Sequence, residues 1–295
     1  MCGGEKMNEI ELKSLAKINL GLDVLGKREN GYHDVRMVMQ TIYLHDEVKL
    51  QRIEKGIEIQ SNLRFLPTGE GNIAYKAAKL LIDEFAIESG VKISLNKHIP
   101  VAAGLAGGSS NAAAVLFGMN RMFHLGLSQQ ELMDRGVKLG ADVPYCIMRG
   151  TVLAEGIGEE LSVLPAMPKC TVLIAKPPIS VSTKVVYETL DAKEIVEHPD
   201  IDGIIKGLQQ SDLKTIAYSM GNVLEDVTIP MHPVIEQIKN EMKDCGALNA
   251  MMSGSGPTVF GLFESRSSAK EAAYKIREKS LANQVYVTSI HSVRR

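Results

Sequence analysis

The segment Pro100–Val101–Ala102–Ala103–Gly104–Leu105–Ala106–Gly107–Gly108–Ser109–Ser110 leaves an apolar, alternating stretch and enters the Ala-rich run Asn111–Ala112–Ala113–Ala114. Glycines at these positions can take φ > 0 and let a ligand approach the main chain. A helix starting at Ser109–Ser110–Asn111 offers unpaired amides and a partial positive charge. The combination makes a polyanion site, most naturally for a triphosphate. The hydroxyls of Ser109 and Ser110 can add contacts to phosphate or to Mg²⁺. The same residues also read as a tight strand-to-helix turn with a serine cap. A second small-residue turn, Ser253–Gly254–Ser255–Gly256, separates two apolar runs and alone reads as a hairpin. Asp142, between Gly140 and Pro144, alone reads as a capping residue, and Lys17 as a surface strand lysine.

Other chemistry is poorly supported. G-x-G-x-x-G does not occur. Gly21-LDVL-Gly26-Lys27 has P-loop spacing, but Arg28 stands where Ser or Thr should bind Mg²⁺, and no helix follows. The kinase signatures HRD and DFG are missing. Cys2, Cys146, Cys170 and Cys245 form no CxxC pair, and the seven histidines form no HExxH, so no metal site is expected. With Lys+Arg 33 against Asp+Glu 35, a generic DNA-coating or polybasic membrane protein is disfavoured. Aromatics at 5% and no Trp disfavour a base-stacking nucleic-acid platform. No apolar run approaches the ~20 residues a bilayer needs. The start, MCGGEKMNEIEL, lacks the apolar region of a signal peptide, and a cytoplasmic location is expected.

Positioning these residues requires an ordered scaffold, and 295 residues with 45% hydrophobic content suffice for one large or two medium domains. Residues 1–6 read as an irregular extension. Residues 9–13, 16–25, 35–53 and 57–60 read as strands from their alternation and β-branched content. Asn72 caps a helix, NIAYKAAKLLIDEF. VKISLNKHIP is a strand ended by Pro100, and SSNAAAVLFGMNRMF is the helix after the glycine loop. Ser128 caps the next helix, and ADVPYC reads as a short loop. Beyond residue 150 come a hairpin, the buried strand CTVLIAKPP, a helix at 182–191, smaller helices at about 201–218 and a helix at 233–244. Strands ALNAMMSG and PTVFGLF, a helix at 266–280 and the strand QVYVTSI follow. Helix, strand, strand, helix, strand is a split βαβ order. The expected fold class is α+β with domains at 1–160 and 161–295.

PVAAGLAGGSSNAAA resembles the central phosphate-loop motif of the GHMP (galactokinase, homoserine kinase, mevalonate kinase, phosphomevalonate kinase) superfamily, and MMSGSGPTVFGLF resembles its C-terminal glycine-rich motif. AKINLGLDVLGKRENGYHDVRMVMQTIYLHDEV, residues 16–48, resembles the branch of that superfamily acting on CDP-linked methylerythritol in non-mevalonate isoprenoid synthesis. The resemblance covers essentially the whole chain. It implies a ribosomal protein S5 domain 2-like N-terminal domain and a ferredoxin-like C-terminal domain. It implies ATP-dependent phosphorylation of a substrate hydroxyl with Mg²⁺, on a small molecule. A monomer or homodimer is expected, and the charge balance, aromatic content and hydropathy leave neither nucleic acid nor membrane as an expected partner.

By the same resemblance Asp142 is the general base, paired with Lys17. Pro100–Ser110, Asn72 and Lys97 face ATP, Asn72 reading equally as a helix cap. Asn19 contacts substrate, Tyr32 stacks on cytosine and His33 bonds its edge. Thr183 and Tyr187 complete that side, Tyr187 standing where Phe is familiar, although STKVVYETL also reads as an ordinary amphipathic helix. Ser253, Gly254 and Ser255 border the phosphates and substrate. The other readings are a homoserine- or mevalonate-type kinase, a mevalonate diphosphate decarboxylase-like enzyme, and a non-catalytic nucleotide-binding regulator.

Overall fold

The computed structural model describes residues 7–191, 195 and 197–293, so the extension expected at 1–6 lies outside the described residues. The chain forms two compact units, each assembled from several stretches. The first unit takes residues up to Ala16, His45–Ile99 and Ala106–Met148, and the second takes Lys17–Leu44, Pro100–Leu105 and everything from Arg149. The two longest strands, β1 (Glu9–Lys27) and β2 (His33–Ile53), each contribute to both.

In the first unit the strand order is β3-β4-β2-β1, with β3 (Ile57–Ser61) and β4 (Gly90–Asn96). Strand β3 runs parallel to β4, with Ile57 opposite Val91, and β4 runs antiparallel to β2, with Glu47 opposite Asn96. Helix α1 (Ile73–Glu84) buries Ala74, Ala77, Ala78 and Leu81, an i, i+3, i+4, i+7 stripe. It packs on α2 (Gly107–Met122), which buries residues over most of its circumference because α1, α3 (Gln129–Val137) and α4 (Asp142–Met148) surround it. Ser128 and Glu131 form a reciprocal capping box at α3.

The second unit holds β5 (Thr151–Glu155), paired with β2 and with β6 (Glu160–Val163) as the expected hairpin. Its four-stranded sheet comprises β7 (Thr171–Lys176), β9 (Asn249–Met252), β10 (Val259–Phe263) and β11 (Gln284–Ser289) in the order β11-β7-β10-β9. The order is thus 4-1-3-2 in chain numbering, with every neighbour antiparallel, the ferredoxin-like arrangement. Helices α9 (Val234–Asp244) and α10 (Arg266–Glu278) lie against it. Between β7 and α9 run α5 (Thr183–Leu190), α6 (Ile201–Gln209), α7 (Leu213–Ser219), β8 (Gly221–Asn222) and α8 (Glu225–Met231). Phe260 and Phe263 are fully buried. Among the described residues no helix is long and apolar enough to cross a membrane.

Three details depart from the sequence reading. Residues 9–13 and 16–25 are one strand, because the polar residues interrupting the pattern, Ser14, Lys17 and Asn19, find partners and stay buried. ADVPYC is not a loop: Asp142 opens helix α4, whose first turn tolerates Pro144 because amides there need no intrahelical partner. Strand β8 and helix α8 were not foreseen. The former has two residues, and the latter carries Pro230.

The Asn72 side chain accepts from the Ala74 amide at 3.0 Å and donates to the Pro67 carbonyl at 2.8 Å, so the cap reading of Asn72 holds. Asn72→Ala should lower stability by about 1 kcal/mol, and Asn72→Asp, which keeps the acceptor, by much less. Denaturant midpoints at unchanged slope measure both.

Candidate functional site

The glycine loop leaves β4 and enters α2. The residue before α2, Ala106, is left-handed at φ 54°, and no side chain caps the helix. By contrast α1, α3, α5, α6, α7 and α10 all start with a side chain accepting from a first-turn amide. The first-turn amides of the longest helix are therefore left to whatever lies in front of them, and anions suit such positions. Ala102 and Ala106 carry left-handed φ of 49° and 54°, a conformation costing roughly 1–2 kcal/mol each. Gly104, at φ +70°, leaves no room for a side chain: a Cβ there would lie 2.0 Å from the Ser253 carbonyl oxygen. Strand β1 braces the loop, the Lys17 amide donating to the Leu105 carbonyl at 3.2 Å. The Ser110 hydroxyl is buried and donates to the Leu15 carbonyl at 2.7 Å, so it points into the protein, whereas Ser109 is half-buried.

In the second unit, the Lys17 ammonium donates to Asn19 Oδ1 at 2.8 Å, and Asn19 Nδ2 approaches Met37 Sδ at 3.4 Å. Both polar residues are buried on the same face of β1, two positions apart. The turn after β9 packs against the loop: Ser253 donates its hydroxyl proton to the Gly104 carbonyl at 3.0 Å. Asn222 donates to the carbonyls of Met252 and Gly254 at 2.9 and 2.8 Å, and Gly254 is left-handed at φ 59°. Glu225 accepts from the Met252 amide at 2.7 Å and pairs with Lys239 at 2.8 Å, while burial pushes its carboxyl above the usual range. Thr183, at the start of α5, shares a 2.7 Å hydrogen bond with Ser255.

The rings of His33 and Tyr187 lie 4.7 Å apart, tilted 37°. His33 Nε2 is 2.6 Å from Asp191 Oδ1, and Lys27 donates to Asp191 Oδ2 at 2.7 Å. Lys27, then His33, hold the Asp191 carboxyl below its ordinary range. Tyr32 is 57% exposed. It follows Gly31 at φ +84°, and its amide donates to Asn30 Oδ1 at 3.1 Å. The His33–Tyr187 contact is thus already made, and the Tyr32 ring is open to solvent.

Asp142 belongs to the first unit and is half-buried at the first position of α4. Lys97, also in the first unit, is buried; its ammonium is engaged by Asp46 and by Asn111 Oδ1 at 2.7 Å. Among the described residues no group of three or more His, Cys, Asp or Glu could hold a metal ion.

The sequence reading thus named residues that the structure joins as Lys17–Asn19, Ser253–Gly104, Thr183–Ser255 and His33–Tyr187. It missed Asp46, which holds Lys97, Asp191, which holds His33, and Asn222 and Glu225, which hold the backbone of the turn at Met252 and Gly254. Asp46 lies in the distinctive stretch 16–48 and was within reach. The other three sit in segments of ordinary composition, and only the chain's return past the site identifies them.

Residues 72–150 match the family described as GHMP kinases N terminal domain, and residues 204–281 match GHMP kinases C terminal. The chain is 58% identical over 283 residues to the 4-diphosphocytidyl-2-C-methyl-D-erythritol kinase of Lachnospira eligens, covering 96% of this chain and 98% of the relative. It is 54% identical to the kinase of the same name from Lachnoclostridium phytofermentans, over 96% and 97% of the two chains. A crystal structure of 4-(cytidine 5'-diphospho)-2C-methyl-D-erythritol kinase superposes with a TM-score of 0.83 at 29% identity, covering 96% of this chain and 100% of the other. Homoserine kinase from Cytophaga hutchinsonii superposes with a TM-score of 0.80 at 22% identity, over 98% and 97% of the chains, a likeness of fold.

Gly104→Ala tests the contact between loop and turn. Left-handed strain and overlap with the Ser253 carbonyl should together cost about 2–4 kcal/mol. Thermal unfolding reads the loss, and stability equal to wild type contradicts the described packing.

Proposed function

Because the chain belongs to the GHMP kinase family, we propose that it transfers the γ-phosphoryl group of ATP to a hydroxyl of 4-diphosphocytidyl-2-C-methyl-D-erythritol, giving the 2-phosphate. The observation that carries the nucleotide half of this reading is the start of α2, with its unsatisfied amides behind Gly107 and Gly108. The substrate half rests on residues 16–48 and on relatives above 50% identity bearing that kinase name.

In this reading the backbone of residues 100–110 cradles the ATP phosphates. Mg²⁺ carried on those phosphates would supply charge neutralisation, few protein ligands being needed. The Asp142 carboxylate takes the proton of the attacking hydroxyl while a new O–P bond forms and the bond from the γ-phosphorus to the β–γ bridging oxygen breaks, leaving ADP. The family motif assigns Lys17 as the cation for this base, and Asn19 orients its ammonium. A neighbouring cation keeps a carboxylate ionised. Tyr32, His33 and Tyr187 take the cytosine, Asp191 orienting the His33 ring. Stacking contributes about 1–3 kcal/mol per base. Thr183, Ser253, Gly254 and Ser255 border the diphosphate and the methylerythritol. We further place the boundary between the family's two modules near residue 160, between the matched segments, and the enzyme in the cytoplasm.

Release of ADP, followed with MgATP and each of three acceptors, tests the assignment. Turnover is expected with CDP-linked methylerythritol; turnover with homoserine or mevalonate and none with the first refutes the proposal. Asp142→Asn should lower kcat by roughly 10²–10⁴-fold with MgATP still bound. Near-normal turnover in that variant removes Asp142 from the role of base.

A further inference from the structure

The polar cluster beneath the glycine loop has no part in the chemistry above, and its geometry is unusually complete. Asp46, on β2, is fully buried. Its Oδ1 accepts from the amides of His98 and Ile99 at 2.7 and 2.8 Å, the last residues before the loop. Its Oδ2 accepts from the Lys97 ammonium and from Asn111 Nδ2 at 2.9 Å. Asn111 lies in the first turns of α2, just after the loop. A carboxylate has about four lone-pair sites, and all are in use.

The partners are equally committed. Asn111 gives its second N–H to Ser14 Oγ at 2.6 Å and receives Lys97 at Oδ1, 2.7 Å away. The Lys97 backbone is bonded at both ends to the Asn62 side chain, at 2.8 and 3.1 Å. A Cβ on Gly107 would lie 3.0 Å from Ile99 and 3.4 Å from the Lys97 ammonium, so the start of α2 rests on this cluster.

We propose that Asp46 is a positioning residue for phosphoryl transfer: it clamps both ends of the glycine loop, and Lys97 serves that clamp and does not itself bind the nucleotide. One carboxylate fixes where the chain leaves β4 and where it re-enters as α2. The intervening residues are then held in the conformation that turns their amides outward, before any ligand arrives. Preorganised donors of this kind gain most from being fixed in advance. The proposal rests on the loop's reading as the ATP site and adds to it the group that keeps the loop in register.

Asp46→Asn preserves shape and removes charge. In the nucleotide-free protein it should speed amide hydrogen exchange across residues 100–108, and it should raise the Kd for MgATP about tenfold or more, since hydrogen bonds to a charged group are lost. The Kd for GTP should rise by the same factor, because a displaced phosphate loop does not discriminate bases. A merely structural role lowers the active fraction and leaves Kd and KM unmoved. If Asp46→Asn does not fold because Lys97 is stranded, the double variant Asp46→Asn/Lys97→Met removes both charges and is read in the same way. Exchange and MgATP affinity within about twofold of wild type in the folded variant overturn the clamp. So does a selective loss of ATP over GTP in Lys97→Met, which makes Lys97 a ligand of the base. Wild-type protein that binds no MgATP overturns the nucleotide reading itself; faster exchange in the variant then still registers the mechanical clamp, so the two failures are distinguishable.

Discussion

A ligand carrying several phosphate charges and held mainly by main-chain amides demands a loop that is open to solvent and yet immobile. Helix hydrogen bonding normally consumes amides, and side-chain caps consume those the helix leaves over. In this protein the longest helix starts without a cap, preceded by a left-handed alanine, whereas six other helices are capped. Leaving amides unsatisfied and bending Ala102 and Ala106 into left-handed conformations both oppose folding. The surrounding contacts must therefore over-determine the loop. Leu105 is bonded to β1, and Ser253 covers Gly104. The Asp46 cluster holds the chain on either side.

The second unit solves a similar problem with side chains. Lys17 and Asn19 are polar residues inside a strand that is buried over most of its length, and each has the other as a partner. Buried polar groups are costly when unpaired and rigid when paired. The turn at 253–256 owes its shape to Asn222, Glu225 and Thr228, which come from an excursion of the chain between α7 and α9. His33, Tyr187 and Asp191 form a smaller group of the same kind, in which a carboxylate lying below its usual range fixes the imidazole beside an aromatic ring. Family membership explains why the loop and the turn occur together, and the hydrogen bonds explain why each keeps its conformation.

Periodicity was sufficient for most of the fold. The stripe in α1, the Ser128 capping box and the helix–strand–strand–helix–strand order at the C-terminal end all follow from local patterns that the tertiary structure leaves intact. It failed where local rules were overridden. Buried partners carry β1 through Ser14 and Lys17, and a proline in a first turn let α4 form where a loop was expected. A strand of two residues has no period to detect.

From sequence alone came the residue types that could meet phosphate, the split βαβ order, and, through the stretch at 16–48, the family. These are properties of neighbouring residues, and local chemistry is enough to read them. Only the tertiary structure decided that Ser110 and Lys97 point inward, and that Asp46, Asp191 and Asn222 hold Lys97, His33 and the 252–254 backbone. The reason is separation along the chain: Asp46 reaches Ile99 and Asn111, and Asn222 reaches Gly254. A side chain of one or two rotatable bonds acquires a partner only when folding delivers it, and no spacing in the sequence records that meeting.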